Sequence, residues 1–211
     1  SSTGFGHGVL RDLTSGNLNS AFGTRALTRV TTGAVNSAFG AEALTSLTTG
    51  GYNNAFGCKA LGNTTTGWRN NAFGQWVLPF NETGNDNCAF GVNTMVQNLS
   101  GGANCVFGNG ALNLSVAASG ICAFGTNALH NANGGVNNAF GRDAMYTTST
   151  GSGNNGFGYQ NLYSNTTGDN NAAFGDYTFY GLATGSHNVA IGHRAGYGAA
   201  GDEATTVDTY C

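Results

Sequence analysis

Apolar positions in this chain recur every 17 residues, a spacing far from the roughly 3.6-residue period of a helix or the two-residue period of a single strand. The triplet Ala-Phe-Gly, or a close variant, starts at Gly4, Ala21, Ala38, Ala55, Ala72, Ala89, Val106, Ala123, Ala139, Gly156, Ala173 and Ala190. Every interval is 17 residues except Ala123 to Ala139, which is 16. Stacking the copies aligns whole columns. Phe22, Phe39, Phe56, Phe73, Phe90 and Phe107 share one column, which continues to Phe174. Asn stands two residues before the triplet, as in Asn19, Asn36, Asn53 and Asn70, with Ile121 the clear exception. Leu or Met falls six residues after the triplet start, and Gly five before it.

A 17-residue unit is too short for a helical-hairpin repeat, which needs about 30 residues or more. Its many glycines would also weaken helices by roughly 1 kcal/mol each. Short strands bounded by Gly turns fit instead. The pattern predicts an all-β fold, a β-solenoid (parallel β-helix or β-roll) of about twelve 17-residue coils over residues 1–198, with a tail or cap at 199–211. At a strand spacing of about 4.8 Å, twelve coils extend roughly 55 Å. Like side chains then lie over like, and Asn ladders and stacked aromatics reinforce such arrays. Asn and Ala occupy one face of the Asn-x-Ala-Phe strand and Phe the other. Both faces are constant along the repeats, which points to one face lining the coil, expected to be the Phe face, and the other meeting another chain.

Composition narrows the function. Charged residues are only 8% of the chain and the net charge is −3, so there is no basic footprint for nucleic acid. No run of 18 apolar residues predicts membrane insertion. Gly does not fall at every third position and Pro occurs once, which excludes collagen. The chain opens Ser1-Ser2 and enters the repeat at full register, as expected of a processed product, a fragment or a subunit that stacks end to end.

The segment Tyr159-Gln160-Asn161-Leu162 through Asn165-Thr166-Thr167-Gly168 to Ala173-Phe174-Gly175 resembles the repeats of phage tail-fibre and bacterial surface-fibre proteins. His187-Asn188-Val189-Ala190-Ile191-Gly192 is similar to the head repeats of trimeric autotransporter adhesins. The resemblance implies a fibre on a cell or virion surface, often trimeric and often adhesive, and it transfers no catalytic residues.

Candidate chemistry is sparse. Asp86, Asp143, Asp169 and Asp176 fall in different columns, whereas glycoside cleavage needs two carboxylates about 5–10 Å apart; Asp202, Glu203 and Asp208 lie in the tail. His7, His130, His187 and His193 lack the three or four converging ligands of a metal site. The reading is therefore non-enzymatic, with no cofactor and no metal. The third and fourth positions after the triplet start form a variable ridge carrying Arg25, Glu42, Lys59, Arg142, Asp143, Asp176, His193 and Arg194 beside Trp76, Tyr159 and Tyr177. Arg25, Glu42 and Lys59 are set to alternate in charge, and the aromatics could contact a ligand. Ser15, Thr32, Thr49, Thr66 and Thr83 precede Gly turns; a Thr ladder is the mark of an ice-binding face, but two adjacent Thr leading into Gly favour a turn role. Cys88, Cys105 and Cys122 share a column at a spacing that permits a disulfide or a buried thiol ladder, with Cys58 and Cys211 elsewhere. Glycosylation acceptors occur at Asn63, Asn81, Asn98, Asn113 and Asn165, all in the longest polar stretch of a coil, which predicts a glycan-bearing edge.

Together these features predict the structural subunit or shaft of an extracellular or viral fibre or filament, assembled with itself as a trimer or end to end. The alternative is a receptor- or glycan-binding adhesin using the ridge, and a lesser one is an ice-binding protein.

Overall fold

The computed structural model describes residues 1–198; the tail, with Cys211, Asp202, Glu203 and Asp208, lies outside the described residues. The chain is an all-β, parallel β-solenoid built from twelve three-residue strands. It divides into two compact units, Ser1–Asn104 and Cys105–Cys211. The first holds β1 (Thr3–Phe5), β2 (Ser20–Phe22), β3 (Ser37–Phe39), β4 (Asn54–Phe56), β5 (Asn71–Phe73) and β6 (Cys88–Phe90). The second holds β7 (Cys105–Phe107), β8 (Cys122–Phe124), β9 (Asn138–Phe140), β10 (Asn155–Phe157), β11 (Ala172–Phe174) and β12 (Val189–Ile191). Within each unit every strand pairs in parallel with the next, triplet on triplet: Ala38 faces Ala55 and Ala55 faces Ala72, and Ala139 faces Gly156 across the 17-residue step.

The interior is thin. Each coil contributes the Ala of its triplet, a Leu or Met and the Asn to the buried side; Ala55, Leu61 and Asn53 are all fully buried. Burying one Leu contributes about 1.5–3 kcal/mol. A buried Asn costs unless all its polar groups are bonded, and here they are. The Asn53 backbone N–H and side-chain Nδ2 both donate to Asn36 Oδ1, at 3.0 and 3.1 Å. Nδ2 also donates to the Gly67 carbonyl at 2.8 Å. Asn53 Oδ1 accepts in turn from the backbone N–H and Nδ2 of Asn70, at 2.9 and 3.2 Å. The second unit repeats the pattern from Asn137 through Asn154 and Asn171 to Asn188. Ile121, the exception in sequence, is simply buried as an apolar side chain.

The structure corrects the expected orientation of the strand. Asn and Ala point inward, and Phe lies on the outer face, as the alternating pleat requires once Ala is inside. Phe22 remains 39% exposed and Phe174 42%. The rings still stack face to face along the axis, at 4.5–4.9 Å in the first unit and 4.7–5.0 Å in the second. Phe90 therefore contributes stacking rather than a filled interior, so truncating it removes less than the 3–5 kcal/mol of a buried ring.

Tight turning makes demands that the repeat pattern did not reveal. Gly40 has φ 137°, and a Cβ there would sit 2.6 Å from the Gly57 carbonyl of the next coil. Up to three further positions per coil take positive φ with ordinary side chains: Glu42 at 59°, Leu44 at 50° and Tyr52 at 59° in one coil. Left-handed backbone costs roughly 1–2 kcal/mol for a residue with a Cβ, and β-branched side chains suffer most.

Three stability changes follow, each measurable by urea denaturation. Asn53→Ala strips two buried donors of Asn70 of their acceptor and should cost about 2–4 kcal/mol. Gly40→Ala should cost more than about 2 kcal/mol through forced backbone strain. Val136 is 64% exposed with φ 53°, so Val136→Asn should raise stability by about 1 kcal/mol, since Asn tolerates this conformation; a loss at Val136 would contradict the strain argument.

Candidate functional site

Two surfaces stand out. The first is the outer face of the strands. No strand contains a charged residue, so within the strands the Phe ladder is accompanied on the outer face only by small, polar neutral or, at Val189, aliphatic side chains. Asn54 Nδ2 donates to Asn71 Oδ1 at 2.8 Å on this face, and Asn138 does the same to Asn155. Cys105 and Cys122 are register partners on β7 and β8, and both are half-buried. Cys58, Cys88 and Cys122 are free thiols. Partial burial pushes the Cys88 thiol above its ordinary pKa, which disfavours the thiolate.

The second surface is the ridge after the Gly turn. The structure joins Arg25, Glu42 and Lys59 as the spacing predicts: the Glu42 carboxylate lies 3.6 Å from Arg25 Nη1 and 3.6 Å from Lys59 Nζ. Lys59 Nζ also sits 4.6 Å above the Trp76 ring. In the second unit Arg142 covers Tyr159 at 4.4 Å, and Arg194 covers Tyr177 at 5.7 Å. Exposed pairs of this kind contribute little to stability. They do hold the charged groups beside aromatic surface, which can contact a ligand.

The acids act locally. The bidentate Arg69 guanidinium holds the Asp86 carboxyl below its usual range. Asp169 and Asp176 accept the backbone N–H groups of Ser152 and Tyr159, and Asp143 accepts from Asn127 Nδ2. His187 faces Asn170, and His193 packs edge-on against Tyr177. Among the described residues no three His, Cys, Asp or Glu side chains gather as a metal would need, and no helix is long and apolar enough to cross a membrane.

The expected glycan edge is corrected. Asn81, Asn98 and Asn165 are fully buried. Each donates Nδ2 to a turn carbonyl three residues on, for example Asn165 to Gly168 at 3.0 Å. They occupy the same interior column as Leu47 and Leu182, so a glycan cannot be carried there by the folded coil. Asn113 is half-buried and Asn63 is exposed. Of the paired turn threonines, one hydroxyl of each pair bonds to the next coil, as Thr31 does to the Thr48 carbonyl at 3.1 Å and Thr48 to the Thr65 carbonyl at 3.0 Å. A single exposed column (Thr32, Thr49, Thr66, Thr83) is left, where an ice-binding face needs two.

Two features escaped the column reading. Tyr146, Tyr163, Tyr180 and Tyr197 stack at 5.0–5.3 Å, with His130 stacked on Tyr146. Arg11 and Arg29 join Arg25 around a recess beside the first coils. Both lie seven or eight residues after the triplet start, a register readable in the sequence. No family model matches the chain, nor does any curated protein or solved structure, so the likeness to fibre repeats rests on the columns themselves.

Proposed function

We propose that the chain is a non-enzymatic structural element of an extracellular, cell-surface or virion-surface fibre, associating with copies of itself through the outer strand face. One observation carries this reading. The outward Phe column is kept as strictly along the repeats as the buried Ala and Asn columns, although the interior is complete without it. Stacking between neighbouring rings accounts for part of that constancy, at about 0.5–1.5 kcal/mol per pair. It does not account for the absence of charge from every strand. An uncharged surface with an aromatic stripe is what a self-association interface presents at its centre. A trimer around the Phe stripe and a lateral filament contact both use this face, and the repeat favours either because each coil offers the next the same contact.

The test is a double variant, Phe56→Lys with Phe140→Lys, one change in each unit. The parent chain should sediment as an oligomer or filament. The variant should keep its circular dichroism and its cooperative unfolding while sedimenting as a monomer. A parent that is monomeric at about 100 μM, or a folded variant that assembles like the parent, would reject the interface.

A further inference from the structure

The chain's positive charge is concentrated. Four of its seven Lys and Arg residues, Arg11, Arg25, Arg29 and Lys59, stand on one face of the first unit, although the whole chain carries −3. Arg11 is paired with Asp12 at 2.8 Å, and Glu42 is shared by Arg25 and Lys59. Arg29 enters none of these ion pairs. His7, Arg11, Arg25, Thr28 and Arg29 surround a recess of about 430 Å³. A second cleft of about 170 Å³ has Glu42, Lys59, Asn63, Trp76 and Phe80 around it. Thr45 lines both. The two openings thus share an edge on the same columns of five successive coils, about 19 Å along the coil axis at strand spacing.

The floor of the second cleft is a deletion of side chain. Seven residues after their triplet starts, the neighbouring coils carry Thr28, Thr45 and Pro79, but this coil carries Gly62. Its φ is not positive, and a Cβ there would meet Lys59 O at 3.3 Å and Glu42 O at 3.6 Å. The backbone angle therefore does not demand glycine, although a Cβ would press lightly on the Lys59 carbonyl, and the missing side chain leaves space. Above that space Trp76 and Phe80 meet edge to face at 6.4 Å. Phe80 is 39% exposed.

We propose that this groove binds an acidic oligosaccharide laid along the coil axis. A pyranose has one apolar C–H face and a rim of hydroxyls. Trp76 and Phe80 offer the apolar contact, while the Glu42 carboxylate, the Asn63 amide and the Lys59 ammonium can bond the rim. One or more residues away, carboxylate or sulfate groups of the same chain reach Arg11, Arg25 and Arg29, whose planar guanidinium groups suit such oxygens in pairs. A single aromatic pair disfavours a nucleic acid, which would want a stacking platform for each base. The inference goes beyond the fibre reading and stands without it.

Calorimetric titration of the full chain with short oligogalacturonides, and with heparin-derived oligosaccharides of similar length, tests the site. At least one series should bind saturably, weaken as salt is raised, and outcompete an oligothymidylate of equal charge. Arg29→Ala should weaken binding at least tenfold. Gly62→Thr, which installs the residue two neighbouring coils already carry, should also weaken it at least tenfold with an unchanged melting curve. The proposal is overturned if neither series binds, if Gly62→Thr binds like the parent, or if oligothymidylate binds equally well, since each of the last two outcomes means bare charge attraction.

Discussion

Everything in this fold depends on one coil lying in register on the next, and the buried Asn column enforces that register. Backbone hydrogen bonds join coil to coil in the strands and the turns alike, as from the Leu44 N–H to the Ala60 carbonyl and from the Thr48 N–H to the Thr65 carbonyl. The Asn side chain adds four, one to the preceding coil and three to the following one, as Asn53 does with Asn36 and with Gly67 and Asn70. A slip of one residue would leave all of these groups buried and unpaired, at a cost of about 1–3 kcal/mol each. The column is therefore a specificity device as well as a source of stability. Side chains can vary in the turns because the coil-to-coil bonds there run largely through the backbone.

That register has consequences on the outside. Once Asn and Ala are turned inward, Phe must point out, and identical rings must stack at the strand spacing. The same translation gathers unlike residues elsewhere: Arg25 over Glu42 over Lys59, the Tyr ladder, and the row in which Gly62 opens a cleft between Thr45 and Pro79. A solenoid of this kind has a constant frame and a surface that can be written coil by coil. Structural and binding roles can then sit on separate columns of one short chain.

The period, the strand positions, the Leu and Asn columns as columns and the charged ridge were legible because each repeats at fixed spacing; that the Asn column lies inside was not. The direction of Phe was not. A strand with both faces constant gives no polar side to orient it, and bulk argued wrongly for burying Phe over Ala. The buried sequons misled for a related reason. Asn81 and Asn165 lie in a polar stretch, yet this coil is narrow enough that an amide bonded to its own turn fills the interior as Leu47 does. Left-handed positions such as Val35 and Tyr52 escaped because β-branched and aromatic side chains ordinarily argue against that backbone. The basic groove was hidden because Arg11 and Arg29 are ordinary residues of their own coils and become a cluster only when stacked.

The central claim is that the Asn ladder closes as the coil closes, and hydrogen exchange tests it most directly. Backbone amides of Asn36, Asn53, Asn70 and Asn87, together with their side-chain amide protons, should exchange only through global unfolding. Their protection should fall in step with denaturant. If these protons exchange as fast as amides of the solvent-facing turns while the strands remain protected, the ladder does not hold the coils in register and the account fails.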